Sequence, residues 1–384
     1  MLKLSGKTLE SQRAEIPGGV YLLSTDPSLP EVLRKNRIFI IRDENIPHKF
    51  AHYFISESLK KALPKDLAAT KLAADFDYLG NNDIVKISDD FTHIAVMYRA
   101  SSKHNSFLVT EQCNHYCLMC SQPPKKIDDS YLLDDIEKAI PLVPKDTLEI
   151  GFTGGEPTLN GDRFLNILKL TKSYLPNTSV HILSNGRSFS DFNFAKKYAS
   201  ICHHDMMVGI PIYSDDPQLH DYIVQAEGAF DETILGILNL KRLKQKVEIR
   251  VVLHKQSIPR LVELCQFISR NLLFVDHVAL MGLEMMGFAR ANIDDLWIDQ
   301  SEYKDKLSEA VGILSKSRMN VSIYNHQLCL INEDTLPFYR KSISEWKNEY
   351  ADECLSCIKR DDCGGFFSSG IKYKYSPNLK PFLI

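Results

Sequence analysis

The chain has 384 residues, of which 44% are hydrophobic and 25% charged, with a formal net charge of −3. That length exceeds one ordinary domain and can bury a large core, and the charge balance gives no reason to expect nucleic acid or an anionic membrane as a partner. No apolar run reaches bilayer-spanning length, and MLKLSGKTLESQRAEIPGG lacks an apolar stretch followed by a small-residue cleavage site, so a cytoplasmic enzyme is expected. In a reducing compartment its nine cysteines point to metal before disulfides.

Residues 1–103 carry no cysteine and read as a small α+β domain. VYLLS (20–24) and IFIIR (38–42) are expected strands around a helical LPEVLRKN. DIVKIS (83–88) and HIAVMYR (93–99) flank the turn Asp89-Asp90 as a hairpin, and the unit as a whole suits a partly closed barrel. Packing cap and substrate recognition both remain open as its role.

Residues 104–320 change to alternating strand and helix. Strands are expected at SFLVTEQ (106–112), LEIGFTGG (148–155), VHILSNG (180–186), MMVGIPIYS (206–214), VEIRVVLHK (247–255) and HVALMGLEMMG (277–287). Helices follow near Leu132–Leu142, Asp162–Tyr174, Phe192–Tyr198, Phe230–Leu243, Arg260–Arg270 and Glu302–Ser317. Six βα units in a row require a parallel sheet, and six instead of eight suits an open, partial barrel of the TIM type. Chemistry is then expected at the C-terminal ends of the strands. Residues 321–384 form a third, cysteine-rich region.

Cys113, Cys117 and Cys120 stand as C-x3-C-x2-C after the first of those strands. Three thiolates at that spacing can grip one face of a cubane iron–sulfur cluster and leave one iron open. The bland alternatives are a zinc site short of a ligand, or buried free thiols. Gly154, Gly155, Glu156 and Pro157 leave the second strand, where a glycine pair lets backbone approach a small charged ligand. Ser184, Asn185 and Gly186 leave the third strand, and Tyr213 and Ser214 the fourth, so all converge on one rim. Cys329, Cys354, Cys357 and Cys363 form a second set, suited to a saturated cluster or to a structural zinc ion. Cys265 is expected as a buried small hydrophobe, His203 and His204 as a solvated pair, and His115 as exposed on the cysteine loop. Glu284 suits substrate binding or base chemistry as well as a cap or salt bridge. Gly364-Gly365 is expected to permit a turn, and the Trp346 stretch to pack in the core.

C-x3-C-x2-C after one strand and Gly-Gly-Glu-Pro after the next resembles the radical S-adenosylmethionine (SAM) superfamily. Residues 105–370 further resemble HxsC, the maturase of the His-Xaa-Ser peptide-modifying system. The strings that carry this are HNSFLVTEQCNHYCLMCSQPPKK, GFTGGEPTL, GIPIYS, YNHQLC, SISEWK and CGGFFSSG. The resemblance implies that Cys113, Cys117 and Cys120 ligate a [4Fe–4S] cluster whose fourth iron takes the amino and carboxylate groups of SAM. Gly154, Gly155, Glu156 and Pro157 would line its methionine end. Ser184, Asn185 and Ser214 would contact ribose or carboxylate, Arg250 would fork onto the SAM carboxylate, and Val278–Met281 would pack the adenine. Met119 stands where the superfamily commonly has an aromatic residue, and its thioether would lie against the purine.

The tail resembles the SPASM or twitch type of auxiliary module, implying a second [4Fe–4S] cluster at Cys329, Cys354, Cys357 and Cys363. The implied partners are a protein bearing His-Xaa-Ser repeats, a second radical SAM maturase, and an electron donor such as flavodoxin or ferredoxin. The implied activity is reductive cleavage of SAM to a 5′-deoxyadenosyl radical that modifies the peptide. Two alternatives stay open at this point: a radical SAM enzyme acting on a small metabolite, and a metal-stabilised sensor of SAM or redox state without turnover.

Overall fold

The computed structural model describes residues 3–383 apart from 13, 14, 44, 45, 61, 63–65 and 342–347. SISEWK, and with it Trp346, lies outside the described residues.

The N-terminal sheet has eight strands: β1 (Ser5–Lys7), β2 (Glu10–Gln12), β3 (Gly19–Ser24), β4 (Arg37–Ile41), β5 (His52–Ser56), β6 (Ala69–Leu72), β7 (Ile84–Ile87) and β8 (His93–Tyr98). A single turn of helix, α1 (Glu31–Arg34), joins β3 to β4. The spatial order is β1-β8-β7-β3-β4-β5-β6-β2, parallel from β3 to β6 and antiparallel elsewhere. β1 pairs with β8 and β2 with β6, yet only Thr8 and Leu9 separate them. From Lys7 to Glu10 is three residue steps, at most about 11 Å, so the two ends of the sheet are drawn together and it wraps into a barrel. Alternation along the strands puts Ile38, Phe54, Leu72 and Val85 in one apolar cluster and Phe39, Ile41, Tyr53 and Ile55 in another.

The second sheet has seven parallel strands in sequential order: β9 (Asn105–Thr110), β10 (Glu149–Gly154), β11 (Ser179–Leu183), β12 (Met206–Pro211), β13 (Lys246–Leu253), β14 (His277–Gly282) and β15 (Val321–Tyr324). Between them run α2 (Tyr131–Ala139), α3 (Gly161–Tyr174), α4 (Phe192–Ala199), α5 (Pro217–Val224), α6 (Ala229–Arg242), α7 (Leu261–Asn271), α8 (Gly287–Ala291), α9 (Ile293–Leu296) and α10 (Gln300–Lys316). The six expected βα units are present. The seventh strand, VSIY, falls in the stretch expected to belong to the tail. β9 and β15 are the sheet's edges, so the barrel is open. A last helix, α11 (Ser368–Tyr373), follows in the tail. Among the described residues no helix is long and apolar enough to cross a membrane.

Alternation on β13 shows how the barrel is built. Val247, Ile249, Val251 and Leu253 are buried in the core shared with the helices, while Glu248 and Arg250 face the interior. Each fully buried aliphatic side chain there contributes about 1.5–3 kcal/mol. The N-terminal sheet docks on the flank of this domain. Leu22, Ile84 and Tyr98 join its core, the Tyr98 hydroxyl meets Thr147 Oγ1 at 2.7 Å, and Lys86 pairs with Asp135 and sits 4.6 Å above the Tyr131 ring.

Close packing fixes α6 at Gly236, where a Cβ would lie 2.3 Å from the Gly186 carbonyl oxygen; at Gly312 in α10 a Cβ would meet nothing within 4 Å. Gly236→Ala is therefore expected to lower the thermal midpoint, costing about 1–3 kcal/mol despite alanine's helix propensity. Gly312→Ala is expected to raise it by about 0.5–1 kcal/mol. Circular-dichroism melts check the pair, and a Gly236→Ala protein as stable as Gly312→Ala would contradict this packing.

Candidate active site at the rim of the parallel sheet

The chain leaves β9 at Thr110 and enters the cysteine loop. Buried Asp129 closes that loop, accepting hydrogen bonds from Thr110 Oγ1 at 2.9 Å, from Gln112 Nε2 at 3.2 Å and from the Glu111 amide. The middle of the loop is tied to α5, with Tyr116 N donating to Val224 O at 3.1 Å and Leu118 N to Ile223 O at 2.9 Å. Its far side is tied to α8 and the residues that follow: Phe288 N donates to Cys120 O at 2.8 Å and Asn292 Nδ2 to Leu118 O at 2.9 Å.

All nine cysteines are free thiols. Burial pushes the Cys113 thiol up to about 11, and burial also raises those of Cys117 and Cys120. Repulsion from neighbouring loop thiolates adds to the shift at Cys113 and Cys117. The bare loop thus holds thiols, and a bound cationic centre is what would deprotonate them. No group of three His, Cys, Asp or Glu side chains among the described residues converges on a single metal ion. Three thiols within eight residues of one loop match the number a cubane cluster needs when one of its irons stays open.

His115 departs from expectation. It is 3% exposed, its Nδ1 lies 3.9 Å from Cys117 Sγ, and burial brings its pKa down to about 3. The loop folds back under α5, and that encloses the ring.

Gly154 and Gly155 are needed for a reason the sequence conceals. A Cβ on Gly154 would lie 2.2 Å from Thr110 O, and one on Gly155 would lie 2.0 Å from Gln112 O. Gly155 N and Glu156 N donate to those same carbonyls, each at 2.8 Å. The close approach is to the backbone that launches the cysteine loop, and it sets the two motifs side by side. Pro157 is buried at the first position of the short 3₁₀ turn Pro157–Asn160.

The Glu156 side chain turns inward. It is fully buried, and Oε1 accepts from Thr158 N at 2.9 Å, Thr158 Oγ1 at 2.5 Å and Ser184 Oγ at 2.9 Å, while Oε2 accepts from Asn185 N at 2.6 Å. Burial raises its pKa, and those hydrogen bonds pull the other way. Asn185 Nδ2 reaches across to Asn114 Oδ1 at 2.6 Å, and Arg187 Nη1 to Asn114 O at 3.3 Å. Glu156, Ser184 and Asn185 therefore staple strands two and three to the cysteine loop. Ser214 is engaged locally, its Oγ accepting from Asp216 N at 3.0 Å at the start of α5.

Other expected contacts are placed differently. Met119 is buried in an apolar cluster with Tyr213, Val224, Ala289 and Leu296. Val278 and Leu280 belong to the core behind the sheet, so of Val278–Met281 only Ala279 and Met281 face the interior, as strand alternation requires. Arg250 Nη1 donates to Glu248 Oε1 at 2.8 Å and Nη2 contacts Met281 Sδ at 3.1 Å, so its fork is engaged within the barrel. Glu248 also meets His277 Nδ1 at 2.7 Å, and His277 Nε2 meets Ser322 Oγ at 2.9 Å. Burial alone would raise Glu248; the hydrogen bond to His277 and the Arg250 guanidinium overcome it and carry the pKa down to about 2.

In the tail, Cys329, Cys354, Cys357 and Cys363 line one cavity of about 390 Å³, together with Tyr350 and Phe382. Cys363 Sγ accepts from Gly365 N at 3.4 Å. Four thiols around a common space fit a cluster whose irons are all ligated by protein. His203 and His204 lie between α4 and β12, at the opposite end of the sheet from the rim, but only His204 is exposed. His203 is half-buried and its Nδ1 accepts from Asp205 N at 3.2 Å, so the pair is not the solvated one expected. Cys265 is fully buried, as expected.

Sequence reasoning missed Asp129, Asn114 and the Glu248–His277–Ser322 links, because these partners lie far apart in the chain. A test of the staple is Glu156→Gln, which sets an amide nitrogen against donors. It is expected to cost about 1–3 kcal/mol, seen as a lowered thermal midpoint. An unchanged midpoint would show that the carboxylate is not what holds the rim.

The family model of the Radical SAM superfamily matches residues 107–268. Among solved structures, S-adenosylmethionine-bound SuiB of Streptococcus suis is similar with 16% identity and a TM-score of 0.47, covering 61% of this chain and 52% of that one. Native anSMEcpe with bound AdoMet is similar with 15% identity and a TM-score of 0.45, covering 57% and 62%. The coproporphyrinogen III oxidase HemN of Escherichia coli follows with 15% identity and a TM-score of 0.44, covering 56% and 52%. The chain spans about half the length of the first of these. No curated protein matches the sequence. The open parallel barrel, with its cysteine loop after β9 and Gly-Gly-Glu-Pro after β10, carries a Radical SAM superfamily domain over residues 107–268.

Proposed function

We propose that this chain is an enzyme that cleaves SAM reductively and modifies a ribosomally made peptide or protein, a partner bearing His-Xaa-Ser repeats. The observation that carries this reading is the fastening of Cys113, Cys117 and Cys120 to the same rim as the Gly154–Pro157 and Ser184–Gly186 turns. Those three cysteines would hold a [4Fe–4S] cluster with one open iron, and the Gly-Gly-Glu-Pro backbone would line the methionine end of SAM. Cluster and SAM, when bound, supply a 5′-deoxyadenosyl radical able to take hydrogen from an unactivated carbon.

The chain's own contribution is enclosure and placement. Met119, Tyr213, Val224 and Leu296 pack an apolar floor beside the cysteine loop, which keeps water from that side. Glu156 holds the rim turns in register. Cys329, Cys354, Cys357 and Cys363 would hold a second [4Fe–4S] cluster, and with all its irons ligated it suits electron transfer better than substrate binding. The His-Xaa-Ser substrate, the second maturase and a flavodoxin or ferredoxin donor rest on the sequence resemblance alone.

Two measurements test this. Co-expression with a His-Xaa-Ser repeat protein is expected to change that partner's mass with the wild type and not with Cys117→Ala. Formation of 5′-deoxyadenosine while the partner keeps its unmodified mass would count against the substrate. Anaerobic reconstitution is expected to give about eight irons per chain, falling to about four in the Cys354→Ala, Cys357→Ala double variant. About four irons in the wild type, with zinc retained, would assign the tail to a structural metal.

A further inference from the structure

The rim network leaves His115 without a role. It stands midway between Cys113 and Cys117, is 3% exposed, and meets both of their sulfurs. Its backbone N donates to Cys113 Sγ at 3.3 Å, and its ring Nδ1 lies 3.9 Å from Cys117 Sγ. The loop is held on both sides of this placement. Asn114 is bonded by Asn185 Nδ2 at 2.6 Å and by Arg187 Nη1 at 3.3 Å, and Tyr116 N donates to Val224 O at 3.1 Å.

Which ring nitrogen carries the proton follows from the surroundings. Nε2 is buried and has no hydrogen-bond partner among the described residues. A proton placed only there would leave a buried N–H unpaired, at a cost of about 1–3 kcal/mol, and would aim the bare Nδ1 lone pair at Cys117. A cysteine sulfur that ligates a cluster is a thiolate, which can only accept. Nδ1 is therefore the nitrogen that bears the proton, and it donates to that sulfur. Cys117 packs against the apolar cluster of Met119, Tyr213 and Val224, where a hydrogen bond to sulfur counts for more than it would in water.

We propose that His115 is a redox-tuning residue: its ring N–H, donated to the Cys117 sulfur, raises the potential at which the loop cluster accepts an electron. Reduction adds one negative charge that is spread over the irons and their sulfurs. An N–H aimed at a sulfur therefore stabilises the reduced form more than the oxidised one. The step is the gain of one electron from an external one-electron donor, with no bond formed or broken. His115 thus sets how strong that donor must be before SAM can be cleaved. This inference rests on the [4Fe–4S] assignment proposed above. The potential of a cluster that does load is a separate quantity, so the two can fail separately.

The test is a dithionite titration of the full, anaerobically reconstituted chain followed by electron paramagnetic resonance, the loop cluster being the signal that added SAM changes. His115→Phe keeps a flat ring of similar bulk without a donor. It is expected to make that cluster about tenfold harder to reduce, a shift of about 59 mV to more negative potential. His115→Asn returns an N–H near the place of Nδ1 and is expected to stay within about threefold of the wild type. Iron content and any signal from the tail are expected to be the same in all three proteins. Equal potentials in the wild type and His115→Phe would overturn the assignment, and so would an equal shift in both variants, which marks a packing role. Histidine labelled with 15N in the ring alone is expected to couple to the reduced loop cluster of the wild type and not to that of His115→Asn. Absence of that coupling in the wild type would overturn the assignment even where His115→Phe fails to fold. A wild type that loads no cluster on this loop would overturn both this inference and the function it rests on.

Discussion

Because the Glu156 carboxylate is fully enclosed and accepts from Thr158, Ser184 and Asn185, the turns after β10 and β11 cannot shift independently. The backbone of Gly155 and Glu156 is in turn bonded to Thr110 and Gln112, where the cysteine loop begins. One side chain therefore fixes the relation of three loops that contribute to the rim. Asn185 extends the tie to Asn114, between the first two loop cysteines. A site built on loops ordinarily lacks the precision of one built on strands. Here each loop is fastened to its neighbour within a residue or two of its strand, so the rim inherits the stiffness of the sheet.

Two buried carboxylates show how the same burial serves different ends. Glu156 has only dipoles around it, and its pKa is raised by burial. Glu248 is carried down to about 2 because a histidine hydrogen bond and a guanidinium outweigh its burial. A buried ion pair of this kind gives little net stability, and its gain lies in a defined geometry. Glu248, Arg250, His277 and Ser322 bridge β13, β14 and β15 from inside, the half of the barrel opposite the cysteine loop. Polar residues can occupy that interior because the helices cover only the outer face, where Val247, Ile249 and Val251 supply the apolar surface.

Much of the architecture was legible. The six apolar strand runs and the helices after them could be read because parallel strands covered by helices alternate in a simple way, and the rim followed from topology. The polar three-residue strands β1 and β2 have no pattern to read; only their pairing with β8 and β6 makes them strands. VSIY reads as tail because it runs straight into the cysteine-rich region, and β5 and β6 lacked the turn signals that marked the hairpin after them. At the site, cysteine spacing and the order of motifs were legible, whereas the direction of each side chain was not. Val278 and Leu280 point away from the interior by alternation. Arg250 is engaged by a glutamate two residues earlier in its own strand. His115 is enclosed by a helix, α5, that periodicity did not reveal.

The place of the tail follows from the seventh strand. A parallel strand delivers the chain to the C-terminal rim, and a crossover helix normally carries it back. Among the described residues no long crossover helix follows β15, so the residues after Tyr324 stay at the rim, and Cys329 comes almost at once. Tyr339 secures this: its hydroxyl donates to His326 O at 3.1 Å and accepts from Gly364 N at 2.6 Å. His326 is itself buried against Tyr303 of α10. The Cys363–Gly365 turn is thereby pinned to the exit of the last strand, and that keeps the four-cysteine cavity beside the barrel mouth. Ending the repeat on a strand is the topological step that converts a C-terminal extension into a wall of the site.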